Sequence, residues 1–167
     1  MMQPLNVGIV GYGVVGARRL QHCFENPLLN VVAVCDTKFN KQTQLTDRIV
    51  AYPTRERLLA DPLDILFVCV PNDVAPEATI AGLTKGLHVF CEKPPGRSVE
   101  DILKVREIEA KMPHLKLKYG FNHRYHESVK AASKLIESGS LGRVINLRGV
   151  YGKSAFTPWP RGQSGKH

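Results

Sequence analysis

The chain has 167 residues, 43% of them apolar and 23% charged, and a formal charge of +8. That length and balance suit one ordinary domain or slightly more and exclude a wholly disordered, collagen-like or disulfide-stapled protein. The charge is uneven: residues 1–84 are close to neutral and residues 85–167 carry the excess, but the basic residues are scattered and no nucleic-acid motif accompanies them, so an acidic cofactor or substrate is expected and nucleic acid is not.

The predicted elements alternate along the first 120 residues. Leu5–Val10 reads as a strand, Val14–Phe24 as a helix, and Val31–Cys35 as a strand closed by Asp36. Lys41–Ile49 reads as a polar helix, Val50–Tyr52 as a short strand and Arg55–Ala60 as a helical turn. Asp64–Val70 is a continuous apolar run ending at Pro71, Ala75–Lys85 a helix stopped by Gly86, and Leu87–Cys91 another strand. Val99–Lys111 reads as an amphipathic helix, with Ser98 as its cap and Asp101 three residues on. Leu115–Tyr119 is the last strand of this stretch. Apolar strands alternating with helices predict an α/β fold, a doubly wound parallel sheet of the Rossmann type. Residues 1–120 are expected to form that domain. Residues 121–153 read as the opening helix (Ser128–Glu137) and strand (Arg143–Tyr151) of a second, α+β domain. That strand would present an unpaired edge. Residues 154–167 read as an irregular tail.

No apolar run approaches the ~20 residues that a membrane helix needs. The start, Met1-Met2-Gln3-Pro4, has no basic segment followed by an apolar one, so no membrane partner and a cytoplasmic setting are expected. Cys23, Cys35, Cys69 and Cys91 lie far apart without a C-x-x-C, three of them inside apolar runs, which predicts reduced thiols and no metal site.

Gly11-Tyr12-Gly13-Val14-Val15-Gly16 matches G-x-G-x-x-G between a predicted strand and a predicted helix, the context in which the motif carries meaning. The first glycine allows a tight turn, the second lets backbone approach a diphosphate, and the third lets helix pack on sheet. The helix N-terminus offers free N–H groups to the phosphates. Asp36 stands 20 residues beyond Gly16, at the end of the second strand, where a carboxylate accepts hydrogen bonds from the adenosine ribose. A carboxylate beside a 2′-phosphate is a repulsive pair, so NAD is favoured over NADP, with Lys38 two residues on as a softening charge; Thr37 lies between them. Glu92 and Lys93 end one parallel strand and Val70, Pro71 and Asn72 end another, so both strand ends should face one crevice, with Asn72 and Lys93 toward the nicotinamide. A lysine there can take or return a hydroxyl proton while hydride moves. Position alone leaves an exposed lysine paired with Glu92 equally open.

The order G-x-G-x-x-G, Val-Pro-Asn, Gly-Leu-His-Val-Phe-Cys-Glu-Lys-Pro, Gly-Phe-Asn-His-Arg-Tyr and Leu-Gly-Arg-Val resembles the glucose–fructose oxidoreductase, inositol dehydrogenase and MocA family, over residues 5 to about 153. Tyr119–Ser154 looks most like members annotated for polysaccharide biosynthesis. The resemblance implies hydride transfer between NAD and a secondary hydroxyl or ketone of a sugar, polyol or nucleotide sugar, by homo-oligomers. It implies Lys93 as the catalytic lysine and Gly11, Tyr12, Gly13, Val14, Val15, Gly16, Asp36, Thr37 and Lys38 around the dinucleotide. Val70, Pro71, Asn72 and Glu92 would stand on the nicotinamide side, and Asn122 and Arg124 near the substrate. The sequence departs from the family in two places. Ala75 stands where members often have a histidine, and no Asp-x-x-x-His element follows Trp159 and Arg161. The second departure implies a truncated chain that keeps mainly cofactor binding. The alternative reading is a non-catalytic NAD-binding sensor or regulatory module.

Overall fold

A computed structural model describes residues 3–150 and Gly152. The chain divides into two compact units, one running to Phe121 and one from Asn122 onward. Among the described residues no helix is long and apolar enough to cross a membrane.

The first unit is a seven-stranded sheet with four helices. In chain order these are β1 (Leu5–Val10), α1 (Val14–Phe24), β2 (Leu29–Cys35), β3 (Thr43–Thr46), β4 (Ile49–Tyr52), α2 (Arg55–Leu58), β5 (Ile65–Val68), α3 (Ala75–Thr84), β6 (His88–Cys91), α4 (Val99–Lys111) and β7 (Leu117–Tyr119). The spatial order is β3-β4-β2-β1-β5-β6-β7. All neighbours run parallel except the β3–β4 pair, so the expected doubly wound sheet is observed. Strand order reverses direction between β1 and β5, which makes that junction the topological switch point.

The strands are buried on both faces, as apolar runs of this kind require. One face gathers Leu58, Leu66, Leu83, Val89 and Val105 beneath α2, α3 and α4. The other gathers Val7, Ile9, Leu20, Cys23 and Ile49 beneath α1. Alternation assigns the faces residue by residue in β5 and β6. Leu66, Val68, Val89 and Cys91 go to the first cluster. The rings of Phe67 and Phe90, on the opposite side, lie 5.1 Å apart.

Between β1 and β2 the register slips once: Val7 pairs with Val31, but Gly8 pairs with Ala33. The extra residue is a β-bulge. It places Val32 and Ala33 together against the first cluster, with Val31 and Val34 on the other face.

Helix α4 has the bounds read from the sequence, and the Ser98 hydroxyl accepts from the Asp101 amide as expected of a cap. Two expectations are corrected. Lys41–Ile49 is not a helix. Thr43–Thr46 pairs antiparallel with Ile49–Tyr52 across the two-residue turn Asp47-Arg48. Thr46 Oγ1 accepts from the amides of Arg48 and Ile49 at 3.3 and 3.2 Å, and this local bond favours a turn over a helix. Leu45 then packs beneath α1.

The second unit holds a 3₁₀ turn at Asn122–Tyr125 and α5 (Glu127–Glu137). The strand expected at Arg143–Tyr151 is absent from the described part, residues 143–150, which is irregular. Ile145, Leu147 and Val150 are exposed there. A strand needs a neighbour to satisfy its backbone, and none pairs with this stretch among the described residues, so the sticky edge is not formed either. Tyr151, Trp159, Arg161 and the expected tail at 154–167 lie outside the described residues.

Candidate dinucleotide site

The carboxyl ends of the strands are laced together along one edge. The Gly11 amide donates to the Cys35 carbonyl at 2.9 Å, Asp36 to Tyr52 at 3.2 Å, Cys69 to Val10 at 2.7 Å and Glu92 to Val68 at 2.9 Å. Above this edge, at the switch point, lies a cleft of about 600 Å³. Of the residues singled out from the sequence, Gly11, Gly13, Asp36, Thr37, Val70 and Pro71 line it.

The three glycines differ physically. Gly11 has φ +89°, and a Cβ there would collide with the Cys69 carbonyl and lie 2.9 Å from Val70 Cγ1. A Cβ on Gly16 would run into the Gly11 carbonyl oxygen. Both are glycine for reasons internal to the fold. Around Gly13 a Cβ would meet nothing within 4 Å, so the space it leaves open belongs to whatever enters the cleft. Gly13 is also the N-cap of α1. That helix has neither a side-chain cap nor an acidic residue in its first turn, which leaves its amides and positive dipole end uncompensated, as an anion site requires.

Asp36 is already engaged at the glycine turn. Its Oδ2 accepts from the Tyr12 amide at 2.7 Å and its Oδ1 from the Lys38 amide at 3.0 Å. Each carboxylate oxygen retains a lone pair for a ribose hydroxyl. Lys38 folds back so that its ammonium lies 2.5 Å from the Tyr12 carbonyl oxygen, 4.6 Å from the Tyr12 ring centroid and 5.4 Å from that of Phe39. The carboxylate and the ammonium thus grip the glycine turn from both sides.

Neither Tyr12, Lys38, Val14, Val15 nor Gly16 lines the cleft itself; Val14 and Val15 are exposed on the first turn of α1. Asn72, Glu92 and Lys93 also lie off its lining. Glu92 has a partner the sequence did not suggest. Its Oε1 accepts from Arg19 Nε at 2.6 Å, Arg19 Nη2 joins the same oxygen, and the pair is largely buried, with the Glu92 side chain 11% exposed. Arg19 also covers the Phe90 ring at 5.1 Å. Lys93 is therefore not the partner of Glu92; it is exposed at the end of β6, before a cis peptide to Pro94. Asn122 and Arg124 lie on the 3₁₀ turn of the second unit. Ala75 is 1% exposed at the start of α3, a packed position in the first cluster.

The cleft also has lining residues that the motifs did not reveal: Pro53, Thr54 and Arg55 after β4, Cys69 after β5, and Val74 and Glu77 by α3. Their signal was topological. They follow parallel strands at the carboxyl edge, where α/β ligands bind. Burial pushes the Cys69 thiol up to about 12, with Glu92 adding to the effect, and the Cys35 thiol up to about 11, against an opposing bond from the Gly11 amide. Both stay protonated and unreactive at neutral pH.

An uncompensated helix end, a glycine-lined opening and a carboxylate one strand away at the switch point define a dinucleotide-binding Rossmann domain. Residues 5–121 match the oxidoreductase family with an NAD-binding Rossmann fold, of the glucose–fructose oxidoreductase, inositol dehydrogenase and MocA type, and the chain belongs to that family. It is 31% identical to the D-glucoside 3-dehydrogenase of Escherichia coli K12, over 92% of this chain and 47% of the relative. It is 26% identical to the inositol 2-dehydrogenase of Corynebacterium glutamicum strain R, over 90% and 46%. The crystal structure of myo-inositol 2-dehydrogenase from Lactobacillus plantarum superposes with a TM-score of 0.74 at 27% identity, over 86% of this chain and 44% of that one. The chain spans less than half the length of the curated relatives it matches. These relatives are named for glucosides and inositols, not for polysaccharide biosynthesis.

Proposed function

We propose that the chain provides the cofactor half of a cytoplasmic, NAD-dependent dehydrogenase, a homo-oligomer acting on a secondary hydroxyl of a sugar, polyol or nucleotide sugar. The observation that carries this is the open cradle at Gly13, beside an uncapped helix end and the Asp36 carboxylate. These residues fit a dinucleotide: α1 amides for the diphosphate, Asp36 for the ribose hydroxyls, Val70 and Pro71 along the cleft wall. NAD supplies the hydride acceptor or donor.

The remaining work falls to the chain. Lys93, exposed beside the strand ends, takes or returns the proton of the substrate hydroxyl, and Asn122 and Arg124 hold the sugar. Arg19 engages one oxygen of Glu92, which fixes the turn that carries Lys93, and the carboxylate stands on the nicotinamide side. The family match and the glucoside and inositol relatives support the substrate class.

Titration of NADH fluorescence tests the binding half, with saturation expected below millimolar cofactor. Assay with NAD against glucosides, inositols and nucleotide sugars tests the catalytic half. Lys93→Ala should keep NADH binding and lower any turnover by ~10²–10⁴-fold, the usual cost of a lost general acid or base. NADH binding without turnover on any of these substrates would favour the sensor reading.

A further inference from the structure

We propose that Arg55 and Glu77 form the adenine end of the cleft: the Arg55 guanidinium lies on the face of the base, and the Glu77 carboxylate accepts a hydrogen bond from its exocyclic amino group. The proposal rests on the dinucleotide reading and adds the group that recognises the base. Along the sheet edge the order is β1, β2, β4. With the diphosphate at Gly13 and the ribose at Asp36, the base falls next, over the end of β4. There Pro53, Arg55, Val74 and Glu77 all line the cleft. Prolyl and valyl surface suits the flat, weakly polar faces of a purine.

Arg55 is prepared for stacking. Its Nε and Nη2 lie 3.2 and 3.1 Å from Glu56 Oε1, and its side chain is 25% exposed where that of Glu56 is 69% exposed. The guanidinium is thus pinned along one edge and largely covered, at the lining of the cleft, and a planar cation held there suits the face of a base. A lysine would keep the charge and lose the plane. Glu77 sits in the first turn of α3 and, like Arg55, lines both the cleft and a second groove that holds Leu59 and Ile80. Among the described residues it enters no ion pair, so its oxygens are available to a donor. Adenine offers an N–H₂ donor at that edge; hypoxanthine offers a carbonyl oxygen, which a carboxylate repels.

The test titrates the whole chain with NADH, with its reduced hypoxanthine analogue and with ADP-ribose, which lacks nicotinamide. The wild type should bind NADH about tenfold more tightly than the hypoxanthine analogue. Glu77→Gln, whose amide can accept or donate, should bind the two within about twofold. Arg55→Ala and Arg55→Lys should each weaken NADH and ADP-ribose alike, by roughly five- to tenfold, in line with the loss of one stacked base contact. A wild type that binds NADH and its hypoxanthine analogue equally overturns the Glu77 assignment with no variant involved. Full binding by Arg55→Ala, or rescue by Arg55→Lys, overturns the stacking. A wild type that binds neither NADH nor ADP-ribose overturns the dinucleotide reading and this proposal with it. The proposal alone falls if the cofactor binds indifferently to its base.

Discussion

Asp36 holds the glycine turn before any ligand arrives, through the amides of Tyr12 and Lys38. Its removal should therefore act twice. Asp36→Ala loses charge-assisted bonds worth ~1.5–3 kcal/mol each, so NADH affinity should fall at least tenfold and the melting temperature should also drop. Fluorescence titration and thermal unfolding of one preparation read both. The glycines should separate the two effects. Gly16→Ala drives a methyl into the Gly11 carbonyl and should destabilise the fold itself. Gly13→Ala meets only open space, so its melting point should stay within a few degrees while NADH affinity drops by an order of magnitude or more. The sequence pattern made all three glycines legible and gave them distinct tasks. The space around each, which separates a folding glycine from a ligand glycine, became visible only in three dimensions.

At the level of elements, helices were legible where their ends carry a chemical signal. Ser98 and Asp101 announce α4, and Gly86, with φ +85°, closes the segment after α3. The β3–β4 hairpin was not legible, because Thr43–Thr46 is short and polar, and its strand character comes from pairing with Ile49–Tyr52 and from the Thr46 turn bond. Residues 143–150 show the converse. Their apolar spacing suits a strand, but spacing without a neighbour does not make one. The tie between α1 and β6 was equally hidden, since Arg19 and Glu92 stand 73 residues apart. Arg19→Met strands a carboxylate that is only 11% exposed and should cost about 3 kcal/mol, the low end for a broken buried pair. The double variant Arg19→Met, Glu92→Gln should recover much of that loss. Chemical denaturation measures both.

For the molecule as a whole, four buried or half-buried thiols and two phenols link stability to alkaline pH. Burial raises Cys35 to about 11, and Cys69 and the Tyr119 phenol to about 12; it also raises Cys23, Cys91 and the Tyr52 phenol. Each group holds its proton more tightly folded than unfolded, so its contribution is complete below its ordinary value, near 9 for a thiol and 10 for a phenol, and is lost as pH climbs through its raised value. The melting temperature should be level from pH 7 to 8.5 and fall steadily above pH 9. A thiol reagent at pH 8 should find the cysteines silent until the chain unfolds. A further consequence follows from the slip between β1 and β2. The second strand spends one more residue than its partner needs, and the surplus is stored as slack just upstream of Asp36. Deleting Val32 would draw in that slack and leave the carboxylate at the same tip, facing the same way, so a chain shortened there should still capture NADH. Deleting Val7 from β1 has no reserve to draw on and should abolish folding.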